Sequence, residues 1–546
     1  MSQRTRARGI AAIATLALAL TACSGGSGSD EESSGLDNRT GAMENYAVGD
    51  QFTATEPLTF SILYSDHPNY PSQSDWLLWS EITERTNVTL EPTLVPLSDY
   101  EQKRSLLIGA GDAPAIIAKT YGGQEDPFVA SGAILPVSDY LDLMPNLQAK
   151  IEEWGLEANL DQRRQEDGKF YLLPGVHEAP WQDYTIAMRT DVLDELGLAT
   201  PTTWDEFRTT LEAIKEARPG EYPFSDRYSE TDPGGALLNV ASLGFGTSAG
   251  WGYNSETWDP DAGEFVVTAA MPEYREMIEY FHGLVADGLM DPESFTQDDD
   301  AAIQKFVTGR SVAISANAQA IVNDYEPGLA ENFPEATVAK IPVPCGDAGC
   351  MLNPVSQLEN GLMISASAAD SPDFVAMMQF IDWLFYSDEG QEFTKWGVEG
   401  TTFEKAADGT RTLAPDVDFV GMNPDAPLHL QKDFGFSGGN FAYGGSTELL
   451  WSTFSDAEVA FQESIADYEM MELAPPAPLN EAENEQLALL KTSLKDAVFQ
   501  GSIQFILGQR DFSEWDAFLA DLESKGASQY VDVINGARER YQDANG

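Results

Sequence analysis

The groups with which this chain could do chemistry are many acids, few bases and a scatter of aromatic rings. There are 89 Asp and Glu, 31 Lys and Arg, four His and three Cys. Catalysis needs such groups in tight local patterns, and the sequence holds no H-E-x-x-H. It has no G-x-x-x-x-G-K-[ST] phosphate loop either. Glu178 and Asp183 could be read as a glycosidase dyad, but among 89 acids close pairs arise by chance. Cys345 and Cys350 have no His beside them and make a poor zinc site. Aromatic rings are the other groups here that could meet a small molecule. Sugars present apolar faces edged with hydroxyls, which suit rings set beside Asp, Glu, Asn, Gln and Arg. Rings fall in several loop segments: Tyr70, Trp181, Tyr184, Trp251, Tyr253, Trp258, Phe434, Phe436, Phe441, Tyr443 and Trp451.

These residues need elements to position them. Leu58–Tyr64 reads as a strand, and Trp76, Leu77, Leu78, Trp79 and Ile82 as the wide apolar face of a helix. Val88–Val95 is a second strand. Ser98 with Glu101 forms a capping box that opens a helix over Asp99–Gly109, and a turn leads into a short buried strand ending at Ile117. This β-α-β-α-β order predicts a parallel sheet covered by helices. Further on, Gly168–Phe207 places two short extended runs around a polar and aromatic loop, followed by a helix. Thr203 is its N-cap, and Phe207, Leu211 and Ile214 give it one apolar face. Pro272–Val285 is an amphipathic helix, Gly309 a helix-ending glycine, and Asn360–Ser365 a strand. Ser371 caps a helix with Pro372 at its first position. Trp76, Trp79, Trp204, Trp383 and Trp515 fall on helical apolar faces and read as core.

The stretch Gly168-Lys-Phe-Tyr-Leu-Leu-Pro, then Arg189-Thr-Asp-Val-Leu-Asp-Glu-Leu-Gly-Leu and Trp204-Asp-Glu-Phe207, resembles the lobe-to-lobe passage of extracellular solute-binding proteins of bacterial ABC importers. Gly111-Asp-Ala-Pro, Phe306-Val-Thr-Gly-Arg, Phe380-Ile-Asp-Trp-Leu-Phe-Tyr-Ser-Asp-Glu-Gly and Trp515-Asp-Ala-Phe resemble other segments of that family, in the same order over about residues 55–535. The resemblance implies an α/β, two-lobe, periplasmic-binding-protein-like type II fold with a hinge and helical C-terminal additions. It implies capture of a small solute in the interlobe cleft and delivery to a membrane permease, without cofactor or catalysis. Long members carry a calcium loop after the Trp-x-Glu-Phe helix. Glu216–Pro223 lacks the D-x-[DN]-x-[DN]-G ladder, so no metal is expected there, and Asp298-Asp-Asp300 reads as a charge cluster at a helix start.

The N-terminus sets the compartment. Arg4, Arg6 and Arg8 precede the short apolar run Ile10–Leu20, too short to span a bilayer, so residues 1–22 read as an export signal. Leu20-Thr-Ala-Cys23 resembles a bacterial lipobox, which implies lipidation of Cys23. Residues 23–52 read as a flexible tether. Outside the cell, Cys345 and Cys350 form a disulfide around a small loop. Residues 53–178 with 355–405 are assigned to the first lobe, and 179–354 with 406–546 to the second. A net charge of −58 excludes nucleic acid as a partner. The expected partners are a solute, the permease subunits and the membrane through the lipid; the chain is expected to be monomeric.

Fold position then gives the cleft candidates. They are Asp66, His67, Asn69 and Tyr70 after the first strand, and His177, Glu178, Trp181 and Tyr184 at the crossover. Trp251 and Tyr253 lie in a Gly-rich segment, Asn317 and Gln319 after a strand, and Glu399 in the returning lobe. Asn440, Phe441, Tyr443 and Trp451 lie in and after a late Gly-rich loop, with Trp451 as the expected stacking ring. Few of these are cationic, so a neutral oligosaccharide is expected over a uronate. A peptide or other solute, a secreted glycoside hydrolase and a surface adhesin are the other readings.

Overall fold

A computed structural model of the chain describes residues 35–227, 234–353 and 357–545. The export signal and Cys23 lie outside the described residues. Two sheets organise the rest. The first has five strands in the order Val88–Pro96, Leu58–Asp66, Ile116–Thr120, Leu358–Ile364, Leu173–Val176. Its first three strands are parallel, as the β-α-β-α-β reading requires, and Leu358–Ile364 runs antiparallel to both its neighbours. Side chains alternate across it. Phe60, Ile62 and Tyr64 enter one core with Trp76, Phe380 and Trp383, while Leu63 and Ile117 enter another with Tyr100 and Tyr171. A sheet buried on both faces explains why its strands read as nearly continuous apolar runs.

The second sheet sets Thr185–Arg189 between Ala313–Ala316 and Val338–Lys340, antiparallel to both. Ile186 and Met188 point into a core shared with Trp204–Ala217, Pro272–Ala286 and the C-terminal helices Glu481–Ile506 and Trp515–Ser524; Ala187 and Ile314 point the other way. The helix starting at Trp204 forms as its cap residue dictates: Thr203 accepts the Glu206 N–H. The Glu206 carboxylate reaches one residue further back than expected, to the N–H and hydroxyl of Thr202. Gly309 ends its helix at φ +76°, where an L side chain is strained.

Four expectations are corrected. Ser98 caps nothing: Leu97–Asp99 is a 3-10 turn and the helix Tyr100–Ala110 begins after it, because the strand before it runs on to Pro96. Ser371 is not an N-cap; the helix Phe374–Tyr386 starts after Asp373, to which the Ser371 hydroxyl donates. The tether assignment fails from residue 35 onward. Phe52 is fully buried, and Met43 N–H donates to Gln379 while Tyr46 OH donates to Asp382, so this segment is packed on the helix Phe374–Tyr386. Residues beyond 405 do not all join the second core. Leu413, Val417, Leu430, Phe436, Phe441, Tyr443 and Leu449 pack with the first. Apolar periodicity marks a residue as buried without saying in which of two cores.

Asp382 fastens the N-terminal segment. Fully buried, it accepts the backbone N–H of Asn146 (3.1 Å) and Leu147 (2.9 Å), the Asn146 side-chain amide (2.7 Å) and Tyr46 OH (3.0 Å). An amide in its place turns an N–H₂ toward at least one of those donors. Asp382→Asn is expected to cost roughly 2–4 kcal/mol, since a buried donor left unpaired costs about 1–3 kcal/mol, more for charged acceptors; urea unfolding is the check. In the loop after Trp204–Ala217, the Lys215 ammonium donates to the carbonyls of Glu221 (3.2 Å) and Gly288 (2.8 Å), where an internal cation already serves the carbonyls. Calcium and EGTA are accordingly expected to leave the melting temperature unchanged, measured by thermal shift.

Candidate functional site: the interlobe cleft and its hinge

The chain leaves the first sheet after Val176 and enters the second at Thr185, so residues 177–184 form a crossing. It returns between Leu352 and Leu358, and leaves again between Leu449, in the first core, and Phe461, in a core with Val343. Hydrogen bonds lace these three crossings together. His177 N–H donates to Gln357 O (2.9 Å), Gly445 N–H to Val176 O (2.8 Å), Glu178 N–H to Gly445 O (3.2 Å) and Thr447 N–H to the Glu178 carboxylate (2.7 Å). A Cβ on Gly444 would lie 2.3 Å from Val176 O, so only glycine permits this approach. His177 is buried and its Nε2 lies 3.0 Å from Glu359 Oε2. Burial raises the Glu359 carboxyl, but the His177 hydrogen bond, the charges of His177 and Lys395, and the Gly444 N–H outweigh it and lower it to about 2.

On the second-lobe side of the same crossing, the Gln462 side-chain amide donates to Gln182 O (2.7 Å) and Lys340 Nζ to Asp183 O (2.6 Å). Lys340 and Glu458 form an ion pair at 2.8 Å with both side chains only 3% exposed. Burial raises the Asp183 carboxyl to about 6 against the pull of Lys340 and the Asn317 amide. The middle of the crossing is aromatic: Trp181 lies between His177 (5.7 Å) and Phe454 (6.1 Å).

Around this hinge the two lobes offer polar and aromatic walls. The first-lobe wall sits at the carboxyl ends of the strands Leu58–Asp66 and Ile116–Thr120, where open α/β sheets bind ligands. The rings of His67 and Tyr70 stack at 4.3 Å, Asp66 accepts the Ser72 N–H, and Asn69 is exposed. The second-lobe wall carries Trp251, 47% exposed, with Tyr184 edge-on at 4.9 Å. Beside them Arg227 donates to Ser315 O (2.7 Å) and Tyr325 OH (3.0 Å). Asn317 caps a helical turn and reaches Asp183 at 3.3 Å; Gln319 is half-buried on that turn.

Several expected site residues stand elsewhere. Tyr253 is buried in the second core against Tyr274 and Phe499. Phe441 is buried among Tyr64, Trp79 and Phe385, and Tyr443 is stacked on Phe385 with its hydroxyl donating to Gly439 O. Asn440 is buried and locked on both polar groups of Ser65. The Gly-rich loop reads as exposed, but its glycines let it sink against the first sheet. Glu399 is exposed in the turn before Phe403–Lys405 and touches neither wall. Trp451 is half-buried at the end of Thr447–Trp451, next to the hinge. Cys345 and Cys350 are joined, with Cα atoms 4.3 Å apart. Sequence reasoning missed Lys119 and Tyr121, which follow a buried strand and carry no loop signature until Gly122-Gly123. It also missed a polar pocket of about 170 Å³ between residues 123–126 and 162–165 of the first lobe and Pro476–Leu479 with Asn484.

Residues 78–420 match the bacterial extracellular solute-binding protein family. The chain belongs to that family. Its members bind solutes outside the membrane. The chain is 23% identical to the fructooligosaccharide ABC transporter substrate-binding protein FusA of Streptococcus pneumoniae, over 93% of this chain and 95% of that protein. It is 22% identical to the polygalacturonan/rhamnogalacturonan-binding protein YtcQ of Bacillus subtilis, over 83% of this chain and 86% of that one. Among solved structures, the alginate-binding protein AlgQ2 superposes with a TM-score of 0.66 at 18% identity, covering 90% of this chain and 99% of that one. FusA in complex with kestose gives 0.64 at 19% identity, covering 89% and 100%. These likenesses show the two-lobe fold. No described helix is long and apolar enough to cross a membrane.

Because Glu359 is held low, it adds stability above the ordinary glutamate range, and that contribution is lost as pH falls from about 4.5 toward about 2. Glu359→Gln is expected to flatten the acid limb of stability over that window, read from urea midpoints at successive pH values. A parallel slope in both proteins would show the carboxylate to be inert.

Proposed function

We propose that this protein is the substrate-binding component of a bacterial ABC importer, and that it captures an oligosaccharide between its lobes and presents it to membrane permease subunits. What supports this reading is that each lobe, beside three laced crossings, carries exposed or half-exposed rings next to hydrogen-bonding side chains: Tyr70, Tyr121 and His67 in one, Trp251 and Tyr184 in the other. Rings of this kind bind the apolar face of a pyranose, while amides, carboxylates and hydroxyls fix its edge. Relatives named for fructooligosaccharide and for polygalacturonan support a sugar over a peptide. Closing the lobes removes both walls from water at once, so that binding energy is drawn from two surfaces.

In this reading Cys23 carries a lipid that keeps the protein at the outer face of the cell membrane, and the protein acts as a monomer without catalysis. At the hinge the Glu178 carboxylate accepts the Thr447 N–H.

The test is a thermal-shift screen of oligosaccharides and peptides followed by calorimetry. A matching oligosaccharide at 100 times its dissociation constant should stabilise by about 2.7 kcal/mol. Trp251→Ala should weaken binding by roughly 5- to 100-fold, the range of one lost stacking ring. Stabilisation by peptides alone would sink the sugar reading, and glycan turnover abolished by Glu178→Gln would replace binding with hydrolysis.

A further inference from the structure

We propose that the first-lobe wall holds a subsite for a sugar unit bearing a carboxylate, with the Lys119 ammonium as counter-charge between Tyr70 and Tyr121. This rests on the oligosaccharide reading and names the substrate class at the same cleft. It departs from the neutral glycan expected on sequence, because that expectation weighed only loop residues, and Lys119 sits in a strand.

Lys119 lies on Ile116–Thr120, one residue from its carboxyl end, with φ at +51°. A non-glycine residue held there is strained, and such strain is kept where surroundings fix it. Its carbonyl accepts the Arg104 guanidinium at 3.0 Å, which anchors the backbone and leaves the side chain to the cleft wall. Lys150, Lys305, Lys340 and Lys405 each pair with a carboxylate at 2.5–2.8 Å. The Lys119 ammonium has no hydrogen bond or ion pair among the described residues; its one neighbour of note is the Tyr121 ring at 5.2 Å. Lys215 and Lys395, which also lack an ion pair among the described residues, donate instead to backbone carbonyls, so neither leaves its ammonium open as Lys119 does.

The space in front of it is kept open. A Cβ on Gly439 would lie 3.2 Å from Lys119 Nζ and 3.6 Å from Tyr70 OH, so both groups converge on a volume that a larger residue would fill. The Tyr70 hydroxyl borders the same volume and can donate into it. Tyr121, 48% exposed, offers a ring face beside the ammonium. His67, stacked on Tyr70, is pushed toward its neutral form by burial and by Lys119, against the pull of Asp66, which has one oxygen on the Ser72 N–H. Two donors and a ring around one opening match a pyranose whose ring lies on Tyr121 and whose carboxylate meets Nζ and the Tyr70 hydroxyl.

The experiment uses the full chain with uronate trisaccharides (galacturonate, mannuronate and glucuronate), their methyl esters and neutral trisaccharides, by calorimetry. At least one acid form should bind about tenfold tighter than its ester, with the advantage shrinking as salt is raised. Lys119→Met, with unchanged circular dichroism and melting temperature, should remove that advantage and leave ester affinity within about twofold. Tyr121→Ala should weaken acid and ester alike. Equal affinity for acid and ester, or an equal loss for both in Lys119→Met, would overturn the subsite. Binding of neutral trisaccharides alone would overturn it and leave the oligosaccharide reading standing; stabilisation by peptides alone would overturn both.

Discussion

Any motion of one lobe against the other must pass through Val176–Glu178. That segment is held from two sides, by Gln357 and Glu359 of the returning chain and by Gly444–Thr447 of the third crossing. Backbone bonds on both flanks tie this segment to the other two crossings. The contact of buried His177 with the part-exposed Glu359 carboxylate adds a charge-assisted tie at the centre. A hinge built this way restricts the cleft to a narrow family of geometries, and the cost of ordering it is met in folding rather than in binding.

The same constraint decides which aromatic residues are free for a ligand. Before the third crossing leaves the first lobe, the Gly438–Gly445 loop is drawn down onto the first sheet by its bonds to Val176 and Ser65. Phe441 and Tyr443 then become core and Asn440 a lock on Ser65. The rings that stay at the walls are those fixed by their own strand ends, such as Tyr70 and Tyr121, or held by one edge-on partner, such as Trp251. The large negative charge belongs to the outer surface. Inside, carboxylates are placed singly with donors, as Asp382 and Glu359 are, or against one cation, as Glu458 is.

Much of the fold was legible in the residues. Alternating apolar runs gave the strands of both sheets, Thr203 and Gly309 marked helix ends, and Trp76, Trp204, Trp383 and Trp515 are buried as their helical spacing required. These signals are local: a cap, a period or a turn residue acts within a few positions. The failures are those where a distant partner overrode the local signal. Ser371 has cap chemistry but spends its hydroxyl on Asp373, and the polar segment near Tyr46 is held by Asp382, more than three hundred residues away.

For the site, the acid excess spoke against nucleic acid as a partner, and motif spacing pointed to the crossing at residues 177–184. Type and order determine these, because export signals, strands and turns are written in consecutive residues. Only the tertiary structure decided which loop rings are buried, that Lys119 stands without a carboxylate, and that residues 35–52 and 413–449 belong to the first core. Burial and the pairing of charges depend on what the rest of the chain brings alongside, and in a molecule with two cores a sequence pattern shows that a residue is apolar on one face but not which core receives it.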